Sequence, residues 1–246
     1  MNFLRNNLAN FFTLGNLFSG SIGAIQLIRG DYQTTAICIL VSLILDFFDG
    51  FVARAMKSDS NLGAQLDSLA DMVSFGLIPG LAVYLALEPY GNEILGIYLP
   101  FELKYFGLLI TLFSALRLAI FNLDEDQKYY FKGLNTPSNT ILIFGIYAFF
   151  QKGMEFFPSL FGDLKLMFTL GPIFWTIIAF LNSWLLVSPI KMIAMKFKSK
   201  KLSDNMPKLV LLIGSILILL LLGQFGIPLV IVYYILISLI FQKQLK

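Results

Sequence analysis

Apolar runs of about the length that spans a bilayer recur from Leu8 to the end of the chain. A hydrocarbon core about 30 Å thick takes roughly 20 apolar residues of helix to cross. The pattern therefore predicts an all-α polytopic membrane protein. Expected spans fall near residues 10–27, 34–54, 64–87, 105–122, 138–151, 166–187, 208–222 and 228–241, about eight in all, with an interfacial segment at 1–9. Composition agrees: 57% hydrophobic residues exceed, and 13% charged residues fall below, what a soluble domain uses. The first run reads as one member of the series and not as a cleaved signal peptide.

Placement of charge gives the expected orientation. With the N-terminus in the cytoplasm, the inner segments carry thirteen Lys and Arg and the outer ones four. Both termini are thus expected on the cytoplasmic face of the cell membrane. The net charge of +3 is too small to suggest a nucleic-acid partner. Residues 1–190 read as a core bundle, 191–207 as a basic cytoplasmic loop near anionic headgroups, and 208–246 as an appended helix pair. One cysteine and no histidine exclude an intrachain disulfide, imidazole zinc sites and Ser-His-Asp catalysis. General-base chemistry is left to carboxylates, lysines or tyrosines.

Acidic groups in apolar spans cost on the order of 2.5–3.5 kcal/mol each by insertion scales, so they mark candidate sites. Four occur close together here: Asp46 and Asp49 at i, i+3 in the second span, and Asp67 and Asp71 at i, i+4 in the third. The short link between the spans makes them antiparallel neighbours, and the four carboxylates are expected to line one pocket near the cytoplasmic end. Without cations such a cluster repels itself. Two divalent ions balance four negative charges, and an all-oxygen shell suits Mg²⁺ or Mn²⁺. Gly50 and Ala53 leave room for a phosphate to approach the helix. Gly63 offers bare backbone at a helix start, and Arg54 can give paired hydrogen bonds to phosphate oxygens.

Asp46 through Asp71 spell D-x2-D-G-x2-A-R-x8-G-x3-D-x3-D, which resembles the signature of the CDP-alcohol phosphotransferases. The resemblance implies a six-span core, usually homodimeric, whose active site opens to the cytoplasm. It also implies that Asp46, Asp49, Asp67 and Asp71 bind two metals, that Asp71 doubles as general base, and that Asp49, Gly50, Arg54 and Gly63 contact the CDP moiety. The donor would be CDP-diacylglycerol, attacked directly by an alcohol.

Four further stretches, 12–20, 66–76, 115–122 and 131–137, resemble the phosphatidylserine synthase branch of that family, which implies L-serine as acceptor. Ile120 and Asn135 depart from that branch, where a second arginine and a proline usually stand. Arg117 and Lys132 are the candidates for acceptor or phosphate binding; their other reading is a structural ion-pair partner and a loop charge. Thr13, Asn16 and Ser19, at i, i+3, i+6, are candidates to hydrogen-bond the cytidine, or else polar helix-packing contacts. The rival acceptors are glycerol phosphate, inositol phosphate or another polyol. Intramembrane carboxylates also mark ion pathways, so a divalent-cation transporter is the rival of a different class. Its acids should line a route across the bilayer, whereas these four lie toward one side.

Overall fold

The computed structural model describes residues 2–56, 61–123, 130–156, 164–194, 205–242 and 244. Helices α1 (Asn2–Ile28), α2 (Tyr32–Met56), α3 (Asn61–Asp71), α4 (Ile78–Leu87), α5 (Leu108–Leu123), α6 (Thr136–Phe156), α7 (Leu164–Val187), α8 (Met206–Leu222) and α9 (Gly226–Ile240) make up most of the chain. The described residues also form two antiparallel ribbons: β1 (Glu93–Ile94) with β2 (Ile97–Tyr98), and β3 (Tyr130–Lys132) with β4 (Lys191–Ile193).

Among the described residues six segments are long and apolar enough to cross a membrane: Leu8–Ile28, Tyr32–Met56, Asn61–Tyr90, Leu103–Leu123, Leu170–Val187 and Met206–Ile240. The fold is an all-α multi-pass membrane bundle; the expected count of eight goes beyond what these six establish. The fifth expected span lies on α6. The seventh and eighth lie on α8 and α9, which turn back on each other at Gly223–Phe225, where Gly223 has φ +53°. The Tyr233 hydroxyl donates to the Val210 carbonyl at 2.9 Å across that hairpin. The expected interfacial segment is continuous with α1 from Asn2 onward. Lys57, the acidic run 124–126, Lys128 and most of the basic stretch, 195–204, lie outside the described residues.

The first turn fixes the register on which everything else depends. Gly30, at φ +83°, closes α1 by donating to the Leu27 carbonyl at 3.0 Å. Asp31 then caps α2, its carboxylate accepting from the Thr34 N–H at 2.9 Å. The Thr34 contacts hold the Asp31 carboxyl below its usual range. This tight turn folds α1 antiparallel onto α2, so Thr35 hydrogen-bonds the Gly23 carbonyl, Ser19 meets Cys38, and Thr13 comes level with Asp49.

The third span is not a continuous α-helix. From Met72 to Leu77, immediately after Asp71, the backbone takes a π-helical turn before α4 resumes. Such a turn inserts extra backbone and re-aims the side chains that follow. It packs against α1 so closely that a methyl on Gly20 would lie 2.8 Å from the Ser74 Cα. Two apolar cores result. One joins α1, α2, α4, α5, α6 and α7 around Leu27, Ile78, Leu87, Ile110 and Ile143. The other packs Leu134, Leu142, Met192, Ile193, Leu211 and Ile231 between the β3–β4 ribbon, α6 and the C-terminal hairpin.

Candidate active site

Ligating oxygens of Asp46, Asp49 and Asp67 lie within 4.8 Å of one another. The antiparallel α2–α3 pair thus brings the two acidic faces together as their spacing predicted. Asp71, one turn beyond Asp67, is 8% exposed and interacts electrostatically with all three. The four carboxylates occupy one site, three in a tight group and the fourth beside it.

Polar side chains of α1 orient two of them. The Thr13 hydroxyl donates to Asp49 Oδ2 at 2.8 Å, and Asn16 Nδ2 donates to Asp71 Oδ1 at 3.3 Å. The Asn16 carbonyl in turn accepts the hydroxyls of Ser42 at 3.2 Å and Ser74 at 3.1 Å, tying α1 to α2 and to the π-turn. Ser19 is engaged elsewhere, donating to the Cys38 carbonyl at 2.9 Å. Cys38 lies eight residues before Asp46, about 12 Å along the helix at 1.5 Å per residue, so Ser19 serves helix packing at some distance from the aspartates.

Asp67 Oδ1 is buried and has no hydrogen-bond partner among the described residues. A lone carboxylate oxygen without a donor, within a group of three acidic side chains, is unfavourable unless a cation satisfies it. The donor set is all oxygen, which fits a hard divalent ion. Asn16 Oδ1, on the amide that bonds Asp71, is likewise buried without a partner among the described residues.

Gly50 and Arg54 act as a unit. The Arg54 guanidinium folds back along α2, its Nη1 3.1 Å from where a Gly50 Cβ would sit, and it interacts electrostatically with Asp49. The bare Gly50 backbone therefore gives Arg54 its resting place beside the cluster. Gly63 is half-buried in the first turn of α3.

Arg117 and Lys132 line one cavity of about 230 Å³ together with Ile120, Phe121, Leu186 and Ser188. Arg117 is 6% exposed, and its Nε and Nη2 are buried without hydrogen-bond partners among the described residues. It interacts electrostatically with Asp71, which connects this cavity to the acidic group. Sequence reasoning passed over Ser114 and Asn139, whose buried polar atoms also lack partners among the described residues. Ser114 lies against the π-turn at Gly76, and Asn139 adjoins Thr140, whose hydroxyl bonds the Phe75 carbonyl at 2.8 Å. The signal available for both was a small polar residue inside an apolar run.

Comparison with known proteins places this geometry. A CDP-diacylglycerol–serine O-phosphatidyltransferase of Helicobacter pylori (strain J99) is 34% identical over 142 residues, 54% of each chain. Enzymes of the same name from Bacillus subtilis (strain 168) and Saccharomyces cerevisiae are each 30% identical, over 132 and 179 residues. These matches take in 54% and 66% of this chain and 70% and 61% of those proteins. The chain thus spans about half the length of the Helicobacter relative. The family model described as CDP-alcohol phosphatidyltransferase matches residues 6–195, a stretch that holds the whole acidic site and the Arg117 cavity, and the chain belongs to that family.

Proposed function

We propose that this protein transfers the phosphatidyl group of CDP-diacylglycerol to the hydroxyl of L-serine, releasing CMP, at the membrane's cytoplasmic face. The observation that carries the reading is the convergence of Asp46, Asp49 and Asp67 within 4.8 Å, with the buried Asp71 beside them, inside the complete signature. The names of the relatives support CDP-diacylglycerol as donor and serine as acceptor.

Asp46, Asp49, Asp67 and Asp71 would hold two divalent ions, Mg²⁺ or Mn²⁺. Bound there, such ions would withdraw charge from the pyrophosphate and balance the leaving CMP. Arg54 and the Gly50 backbone hold phosphate oxygens of the donor, with Gly63 offering its backbone from α3. Asn16 Oδ1 accepts a hydrogen bond from the cytidine. Thr13 and the Asn16 amide keep Asp49 and Asp71 in their working orientation. Asp71 takes the proton of the serine hydroxyl as its oxygen bonds to the phosphatidyl phosphorus and the bond from that phosphorus to the CMP oxygen breaks. No covalent phosphatidyl-enzyme is needed. Arg117, with its unpartnered fork, binds the serine carboxylate, and Lys132 lines the same pocket. The working unit in this reading is a homodimer with both termini in the cytoplasm.

The second cation beside Arg117 makes a phosphorylated acceptor the rival. Purified protein given CDP-diacylglycerol, Mn²⁺ and serine, glycerol phosphate or inositol phosphate in turn is expected to release CMP with serine. Turnover with glycerol phosphate and none with serine would overturn the choice of acceptor; transport without CMP release under any acceptor would overturn the enzyme.

A further inference from the structure

A two-stranded ribbon leaves one edge of each strand open, and where that edge is buried, as at Met192 and Ile193, its backbone groups need partners. In the β3–β4 ribbon Phe131 faces Met192, and the Gly133 N–H bonds the Ile190 carbonyl two residues on in the same register, so the backbone groups of Lys191 and Ile193 point away from β3. Side chains of α9 and the residues just after it satisfy all four. The Tyr234 hydroxyl donates to the Ile193 carbonyl at 3.0 Å, and the Ile193 N–H donates to Ser238 Oγ at 3.2 Å. The Lys191 N–H donates to Gln242 Oε1 at 3.2 Å, and Gln242 Nε2 donates to the Lys191 carbonyl at 2.7 Å.

Tyr234, Ser238 and Gln242 stand at i, i+4, i+8. Four helical residues rise about 6.0 Å, and two strand residues about 6.8 Å. Tyr234 and Ser238, one turn apart, share Ile193, while Gln242, just past the helix end, takes both groups of Lys191, and together they substitute for a third strand.

The ribbon clamped in this way contributes Lys132 to the lining of the Arg117 cavity. Lys132 ends β3 and pairs with Lys191. Next to it Gly133, at φ +75°, donates to the Ile190 carbonyl at 2.8 Å, and Leu134 donates to the Leu185 carbonyl at 2.9 Å. Those bonds carry the clamp into residues 186–189, which line the cavity from the other side. Tyr234 itself is 9% exposed and interacts electrostatically with Arg117. The family match ends at residue 195, so α9 lies beyond it and yet interacts with Arg117 of this pocket.

We infer that Tyr234, Ser238 and Gln242 are positioning residues for acceptor binding, through which the C-terminal hairpin fixes the β3–β4 ribbon and hence the pocket formed by Arg117 and Lys132. This rests on reading that pocket as the acceptor site. The hairpin thereby acquires a role, since the acidic site for the CDP-lipid lies wholly within the family region while the shape of the acceptor pocket depends on a helix appended to it.

The test uses the purified full-length enzyme with serine and CDP-diacylglycerol varied separately and CMP release as readout. Losing a hydrogen bond worth about 0.5–1.5 kcal/mol corresponds to roughly 2- to 12-fold. Ser238→Ala and Gln242→Leu are each expected to raise KM for serine by that factor, and together by more, with kcat and KM for CDP-diacylglycerol within about twofold of wild type. Ser238→Thr, which keeps the hydroxyl, is expected to restore KM. A fall in kcat that follows the loss of folded protein, with both KM values unchanged, would overturn the inference, as would an unchanged serine KM in the double variant. If Gln242→Leu unfolds in detergent, Gln242→Glu, which still accepts from the Lys191 N–H, carries the same comparison. Failure of the underlying reading looks different: the wild type itself would release no CMP with serine. If it used another acceptor, the same shift is expected in that acceptor's KM.

Discussion

Replacing Thr13 by valine tests the proposed architecture of the acidic site with little change of shape. The residue is 3% exposed and its hydroxyl donates at 2.8 Å to Asp49 Oδ2, itself on a residue only 6% exposed, so water does not replace the lost bond readily. A hydrogen bond to an ionised group is worth about 1.5–3 kcal/mol. At about 1.4 kcal/mol per tenfold change, that becomes roughly 10- to 150-fold. The second contact of the hydroxyl, to the Ala9 carbonyl at 3.2 Å, is a local bond within α1 whose loss costs the fold little. The penalty is therefore expected in the orientation of Asp49 toward a cation: the Mn²⁺ concentration for half-maximal CMP release should rise by that factor, with activity recovering at high Mn²⁺. Thr13→Ser keeps the donor and is expected to stay close to wild type. A half-saturating Mn²⁺ concentration in the valine variant within twofold of wild type would refute the claim that Thr13 holds a metal-binding carboxylate in place.

Asp71→Asn is expected to lower CMP release by about 10²–10⁴-fold, the range for a lost general base, while membrane fractionation finds the variant inserted as usual; EDTA should silence the wild type. Gly20→Val drives a branched side chain into the Ser74 backbone. It should destabilise the protein by about 1–3 kcal/mol, seen as a lower unfolding midpoint in detergent. Arg117→Lys keeps the charge and loses the planar fork, so KM for serine should rise by roughly tenfold, with KM for CDP-diacylglycerol unchanged.

The acidic site was legible in the sequence because its chemistry is local: two pairs of carboxylates at helical spacing on adjacent spans can meet in one way once the link between them is short. The membrane class was legible for the same kind of reason. Two other features were not. The stretch 72–77 continues the apolar character of its span, and a π-turn changes how the backbone advances without leaving a mark in hydropathy. The β3–β4 ribbon joins two three-residue strands far apart in the chain, too short for an alternating pattern to register. What the last helices do was hidden with it, since Tyr234, Ser238 and Gln242 read as scattered polar residues until the strand they satisfy is in view. Thr13 and Asn16 were legible as site residues but not in their geometry. Their pairing with Asp49 and Asp71 depends on a register set by the turn at Gly30 and Asp31.

In the proposed reading, that pairing keeps the cluster ready for exchangeable ions. Among the described residues the ion pairs join Lys104 to Glu88 and Glu102, and none reaches the four aspartates. A lysine or arginine locked onto these carboxylates would neutralise them within the fold, and an incoming cation would have to displace it. Thr13 and Asn16 instead donate hydrogen bonds without contributing charge, fixing carboxylate orientation while leaving the negative potential intact. Arg54 is the nearest cation assigned to the site, and it rests on Gly50, exposed at the edge of the cluster, where it can turn to a phosphate. In the proposed mechanism, uncharged donors inside and a cation at the rim divide the work of binding, so that the interior would retain the charge for metal and the rim would supply the charge for the donor.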